Sequence, residues 1–384
     1  MRAYLDHAAT TPMLPEAVEA MLPYLSGTFG NPAGGHIESR RARLAVDDAR
    51  ELIASLLGAD LGEVVFTSGG TEADNLAVMG GWEAIEERRS PPTAMVCSAM
   101  EHHAVLYACR QLARRTGAEL REVRPGRNGI IDLDELAEAC TPEVGLVSVM
   151  VVNNEIGTVQ PIEAVAAVAR QRSPWAVVHT DAVQAVPWLD VATLAGPADL
   201  VAVSAHKFGG PKGVGVLVVR NGTAVRSQHH GGGQERARRS GTANVAGIVA
   251  MAAAMQVTVT GRASTVERVT AMRNRLGDGL LASVTDTSET GDRSHRTAGH
   301  LHLRFAGVES EALVVLLDQS GVAVSAGAAC SSGAVEASHV LESMGMDHQQ
   351  ATSGIRFSLG ATTSEDEIDL ALEVVPGVVT QLRD

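Results

Sequence analysis

A chain of 384 residues, 45% of them hydrophobic, has enough apolar material for one large buried core and a smaller second one. Its formal net charge of -14 gives a surface that repels phosphate backbones and anionic membranes, so direct contact with nucleic acid or a lipid surface is not expected. The first residues lack a basic segment followed by an apolar one, and no stretch reads as long enough to cross a bilayer, which leads to the expectation of a soluble, cytoplasmic protein.

Up to Pro12 the chain reads as irregular, with a helix following through Val18 and Met21. The run from Gly27 to His36 is too rich in Gly and Pro for a regular element and long enough to line a site. Ser39 to Leu57 carries Leu44, Ala45, Leu52, Ile53 and Leu56 at helical spacing and predicts an amphipathic helix stopped by Gly58. Glu63 to Thr67 reads as a strand that Ser68-Gly69-Gly70-Thr71-Glu72 turns into a helix. Such a turn can bind a phosphate through free N–H groups, the helix dipole and the Thr71 hydroxyl, and a plain capped helix has the same pattern. Thr93 to Ala99 predicts a strand. In the extended chain expected after it, His102 and His103 would point to opposite faces and could not share a metal ion.

Three apolar runs follow, Leu146 to Val152, Val177 to Asp181 and Leu200 to Ser204, each typical of a parallel strand buried on both faces. They lead into Asn153-Asn154-Glu155, Asp181-Ala182-Val183-Gln184 and His206-Lys207, the polar strand ends at which open α/β sheets bind ligands. Val214 to Val219 adds a strand. The segment His229 to Thr242 reads as a loop with donors for an anion or as a solvated basic loop. A small-residue helix from Ala243 to Met255 changes near Gly261 to a polar helix reaching Arg275, and the domain boundary is placed there. The remainder alternates strand and helix, through Leu301–Phe305, Ser310–Leu317, Val322–Ser325 and Ile355–Gly360, and ends in a helix from Ser364 with a capping box. Cys97, Cys109 and Cys140 fall in strand or helix patterns and read as buried thiols, whereas Cys330 sits in a loop of small residues. With no Cys-x-x-Cys pair, neither a metal site nor a disulfide framework is expected.

Lys207 and Lys212 are the only lysines among the 31 Lys and Arg residues. Arg stays charged, while a partly buried Lys can lose its proton and attack an aldehyde, so Lys207 is the natural Schiff-base lysine; Arg-favouring codons would leave two lysines as well. Pyridoxal phosphate would use the features together: a lysine for its aldehyde, a glycine turn for its phosphate, Asp181 for its ring nitrogen and Gln184 for its phenolate. Taken singly, Asp181 serves equally as a helix cap, Gln184 as a surface residue and His206 as a structural donor.

The chain resembles the cysteine desulfurases of the NifS/IscS type, class-V aminotransferase-like enzymes of pyridoxal phosphate fold type I. The resemblance runs nearly end to end, through Tyr4-Leu5-Asp6-His7-Ala8-Ala9-Thr10-Thr11-Pro12, Gly30-Asn31-Pro32, Phe66-Thr67-Ser68-Gly69-Gly70-Thr71-Glu72 and Glu101-His102-His103. It continues through Val152-Asn153-Asn154-Glu155-Ile156-Gly157, Asp181-Ala182-Val183-Gln184, Ser204-Ala205-His206-Lys207, His230-Gly231-Gly232-Gly233-Gln234-Glu235-Arg236, Arg239-Ser240-Gly241-Thr242, Cys330 and Ile355-Arg356-Phe357-Ser358-Leu359-Gly360. Departures are His7 and Ala8 in place of a common Tyr-Ser, Gln234 in place of His, and Ala328 in place of Ser. The resemblance implies an α/β fold, with a large domain over 12–260 built on a mainly parallel seven-stranded sheet. A smaller α/β domain, 1–11 with 261–384, would carry the cysteine loop.

It also implies the roles. Lys207 holds pyridoxal 5'-phosphate, His102 stacks on the ring and moves protons, Asp181 pairs the ring nitrogen and Gln184 reaches the phenolate. Gly70, Thr71, Ser204 and His206 take the phosphate, with Thr242 from the second subunit of a homodimer. Asn31, Asn154 and Arg356 position L-cysteine, Asn154 also touching the cofactor and Arg356 clamping the carboxylate. Lys207 or His102 removes the α-proton, and Cys330, on a longer loop of the first subclass, takes the sulfur as a persulfide. The implied partner is a protein sulfur acceptor: an iron–sulfur scaffold, a tRNA-thiolation enzyme or a DNA-phosphorothioation protein. A selenocysteine lyase or an aminotransferase of the same fold would share Lys207, Asp181 and Arg356 without needing Cys330, and a catalytically silent scaffold would need none of them.

Overall fold

The computed structural model describes residues 2–87, 92–326 and 337–384; Cys330 and the small-residue loop around it lie outside the described residues. The apolar runs form a seven-stranded sheet in the order β2-β8-β7-β6-β5-β3-β4. Its strands are β2 (Val64–Thr67), β3 (Ala94–Ser98), β4 (Glu119–Val123), β5 (Val144–Ser148), β6 (Val177–Asp181), β7 (Leu200–Ser204) and β8 (Gly215–Val219). Only β8 runs against its neighbours, and the others are parallel. Every residue of β3, β5 and β7 is buried, as expected for strands covered on both faces, while the edge strand β4 carries Glu119, Arg121 and Glu122.

A second apolar core lies around a three-stranded antiparallel sheet, β12-β10-β9, made of β9 (Thr287–Glu289), β10 (His300–Phe305) and β12 (Gly354–Ser358). The short parallel pair β1 (Ala3–Tyr4) and β11 (Val322–Ala323) brings the start of the chain onto this core. The closing helix, Glu365–Arg383, begins with the expected capping box between Ser364 and Glu367.

Three local expectations are corrected. The two helices predicted around Gly261 are one helix, Val245–Ser283, whose first half packs into the large core and whose second half packs into the small one. A Cβ at Gly261 would meet nothing within 4 Å, so this half-buried glycine is a helical position with room for a side chain that costs about 1 kcal/mol against Ala and does not break the helix. This 39-residue helix is also long and apolar enough to cross a membrane by length and composition, contrary to the reading that no stretch is. It packs against helices Pro15–Met21, Ile37–Leu56 and Glu365–Arg383. Finally, β5 ends at Ser148, and Val149 to Val152 continue as buried, non-strand chain toward Asn153.

Candidate active site

The parallel strands end along one edge of the large sheet, and a cavity of about 450 Å³ opens there between the two cores. Ten of the predicted site residues line it: Gly70, Thr71, His102, Asn154, Asp181, Gln184, Ser204, His206, Lys207 and Arg356. Asn31 and Thr242 are exposed and do not line it within this chain. Cys330 lies outside the described residues, although Ser325 before it and His339 after it are both in the cavity wall.

Lys207 ends a short 3-10 turn, Ala205–Lys207, directly after β7. The turn is closed by Gly209, whose φ of +81° and close approach to Leu14 exclude a side chain. The ammonium donates to Ala8 O at 2.6 Å and Ala9 O at 2.9 Å. Burial, with the charge of Arg356, lowers its pKa to about 8, so a sizeable fraction of free amine exists near neutrality. Lys212, by contrast, is exposed.

Asp181 closes β6 and accepts from Val183 N at 2.8 Å. Burial first, and then any negative charge on the neighbouring Asp74, raises its pKa to about 7, a carboxyl in want of a cationic partner. Arg356 interrupts the apolar pattern of β12 because it spans from the small sheet to the cavity. Its terminal nitrogens donate to Asn154 O at 2.9 Å and Asp6 Oδ1 at 2.8 Å, which fixes the guanidinium plane.

His102 and His103 do not sit in extended chain. His102 caps the helix His103–Thr116, its Nδ1 accepting from Ala104 N at 3.1 Å, so the two rings lie 6.2 Å apart and both line the cavity. Enclosure in the wall and the nearby charge of Lys207 lower the His102 pKa to about 4, although part of its ring is open to the cavity. A neutral ring accepting at Nδ1 carries its hydrogen at Nε2, which makes His102 a donor there.

The chain start, predicted irregular, is held by the site itself. Gln184 Nε2 donates to Ala8 O at 2.8 Å, and His206 Nδ1 pairs with Thr10 Oγ1 at 3.2 Å. With Lys207 and Arg356, four site side chains therefore grip residues 6–10. The basic loop after β8 spends its arginines internally: Arg238 donates to Gly62 O and Arg239 pairs with Glu72. Glu235 in that loop takes a two-point pair from Arg50 and the N–H of Phe66.

Residues of the wall missed as site residues from sequence are Asp6, Asp74, His103, Glu155, Ser325 and His339. Asp6, His103 and Glu155 stood inside quoted motifs without an assigned task. Glu155 is buried and accepts from Ser338 Oγ at 2.5 Å, which ties down the cap of helix His339–Ser343 just beyond the cysteine segment. A smaller cavity, about 160 Å³, shares Ala8, Gln184 and Lys207 with the main one.

A half-buried lysine at a strand end, a carboxylate at the next strand and an arginine from the second core define an enzyme of the class-V aminotransferase type. The family model for aminotransferase class-V matches residues 3–371, and the chain belongs to that family. Within it the chain falls among the cysteine desulfurases, being 44% identical to an IscS-like cysteine desulfurase of Mycobacterium tuberculosis over 99% of this chain and 97% of that one. Among solved structures, a NifS-like protein superposes with a TM-score of 0.92 at 32% identity, covering 99% of this chain and 100% of the other. A structure titled SspA in complex with cysteine is similar at a TM-score of 0.80 and 30% identity, over 94% of this chain and 100% of that one.

Proposed function

We propose that this cavity uses pyridoxal 5'-phosphate to convert L-cysteine to L-alanine, leaving the sulfur as a persulfide on Cys330 for transfer to an acceptor protein. The observation that carries the proposal is the meeting of Lys207, Asp181 and Arg356 in one cavity. The cysteine bound to the SspA relative supports the substrate.

The residues fit the cofactor. A Cβ at Gly70 would lie 2.8 Å from Val183 Cγ2 and 3.4 Å from Ser204 Cβ, so the turn after β2 packs directly on the ends of β6 and β7. First-turn N–H groups there have no intrahelical partner, and with Thr71, Ser204 and His206 they form a cradle for the phosphate. Asp181 holds the ring nitrogen, whose positive charge satisfies a carboxyl otherwise stranded by burial. Gln184, with one N–H on Ala8, has a second for the phenolate. When bound, the cofactor supplies an aldehyde for an amine and a ring that draws negative charge from the substrate α-carbon.

Lys207 is the base for the α-proton, because its amine is partly free near neutrality while His102 presents a donor. Arg356, with donors left after Asp6 and Asn154, orients the substrate carboxylate beside Asn154. Cys330 thiolate forms an S–S bond with the substrate sulfur as the C–S bond breaks. The electron pair stays with carbon, whose protonation gives alanine. The five Cα–Cα steps from Ser325 to Cys330 can span at most about 18 Å, ample for a cavity that Ser325 already lines.

The assembly is a homodimer, in which Thr242, exposed in one chain, reaches the phosphate of the other site, and Asn31 joins the substrate site. The exposed Leu22, Leu25, Phe29 and Ile37 supply apolar surface for that contact. Residues 12–260 form the cofactor domain and 1–11 with 261–384 the cysteine-bearing domain, in keeping with the two separate cores. A cytoplasmic location agrees with Cys97, Cys109 and Cys140 being free thiols.

The test is direct. Apoprotein given pyridoxal 5'-phosphate should turn yellow, borohydride should fix the label on Lys207, and L-cysteine should yield alanine with a 32-Da gain on Cys330 (about one sulfur atom). Labelling at Lys212 would overturn the site. Arg356→Lys keeps the charge but loses the fork; it should raise KM for L-cysteine by about tenfold or more, as loss of a charged hydrogen bond does. An unchanged KM would remove Arg356 from the carboxylate.

A further inference from the structure

Asp74 is a cavity-wall residue that the mechanism leaves without a task. It lies in the helix Gly70–Asn75, one turn beyond the phosphate cradle, and is 1% exposed. His179 and Asp181 stand two apart on β6 and so project to the same side of the sheet. Asp74 Oδ1 is 3.5 Å from His179 Nε2, and neither buried atom has a hydrogen-bond partner. The other ring nitrogen, Nδ1, is 2.8 Å from Ser148 Oγ, on the residue paired in register with His179.

A carboxylate oxygen and a bare imidazole nitrogen, both closed to solvent, cannot face each other lone pair to lone pair; one proton belongs between them. Burial lowers the His179 pKa to about 4 and raises that of Asp74 to about 8, which puts the proton on the carboxyl. The other titratable groups whose charge bears on the pair are Asp181, Glu101 and, through Asp181, Lys207. Burial drives Glu101 toward its neutral form as well.

We propose that Asp74 and His179 are a positioning pair sharing a single proton, with Asp74 kept as an uncharged acid so that Asp181 is the one ionised carboxylate meeting the cofactor's ring nitrogen. The hydrogen bond from Asp74 to Nε2 also selects the His179 tautomer, whose Nδ1–H then donates to Ser148. Were Asp74 ionised, its charge would push Asp181 itself toward protonation, and a protonated Asp181 no longer holds the cationic ring. The role of Asp181 rests on the pyridoxal phosphate mechanism; the neutral pair does not.

The test separates the two. In apoprotein at about pH 7, the infrared difference between wild type and Asp74→Asn should show loss of a protonated carboxyl stretch; loss of a carboxylate band instead overturns the proposal. The sign of the pH effect follows from the raised pKa: stability tied to protonated Asp74 is complete below about pH 4 and is lost as pH rises through about 8. Wild type should therefore lose Tm relative to Asp74→Asn over that window, and parallel curves would overturn the pair. Asp74→Asn should hold pyridoxal 5'-phosphate within about threefold of wild type, whereas Asp181→Asn should weaken it by more than about tenfold. Equal weakening by both variants would make Asp74 a second charge and sink the proposal. If the infrared and Tm results hold while Asp181→Asn binds normally, the cofactor assignment fails and the pair stands. Should Asp74→Asn not fold, aspartate-labelled wild-type holoprotein carries the same infrared signal, since Asp181 is ionised there.

Discussion

Cys330→Ala should abolish persulfide formation and reduce sulfide release from L-cysteine by at least about 10³-fold, while cofactor absorbance and Tm stay at wild-type values. Cys330 is the sulfur acceptor in the proposed transfer, and water or added thiol replaces a positioned thiolate poorly because the reaction becomes bimolecular. Cys97, Cys109 and Cys140 cannot substitute, being buried away from the cavity. The measurement is alanine and sulfide production with mass spectrometry of the protein. Wild-type rates in the variant would show that sulfur leaves without Cys330, as in a selenocysteine lyase or an aminotransferase-like enzyme. A pull-down of persulfide-loaded protein then identifies which acceptor takes the sulfur.

Lys207→Arg should lower turnover by about 10⁴-fold or more, because arginine keeps the charge but can neither condense with an aldehyde nor accept the α-proton. Retention of the contacts to Ala8 and Ala9 makes arginine a milder structural change than alanine, and the Tm should report this. In wild-type apoprotein the same lysine sets a pH dependence. Its neutral amine is the attacking form, so the rate of pyridoxal 5'-phosphate capture should rise about tenfold per pH unit and level off near pH 8. Continued rise past pH 10 would mean an ordinary ammonium, and activity retained by Lys207→Arg would remove the lysine from the chemistry.

The prediction about Lys207 needed little more than its position in the chain, and the reason is local. An apolar run buried on both faces must be a strand of a covered sheet, and a parallel strand delivers whatever follows it to the sheet edge. Val177 to Asp181 and Leu200 to Ser204 were readable in that way, and so were Asp181 and Lys207 behind them. Arg356 was visible as a charge inside an apolar strand. The apolar runs therefore determined the α/β architecture, and the resemblance carried by the order of the motifs determined the family and named ten residues that line the cavity.

Contacts between distant segments were decided only by the tertiary structure, because local pattern carries no information about them. Asp6 reads as a turn former and becomes the partner of Arg356, 350 residues away. Gly261 reads as a break and sits inside one helix that is shared by two cores. The adjacent histidines read as extended until His102 caps a helix and loses its Nδ1 to Ala104. Asp74 reads as one polar residue in a helix, and only the packing of that helix against the sheet sets its buried Oδ1 against His179 Nε2. Charge state follows burial and burial follows packing, so which carboxyl is ionised was a question for the fold.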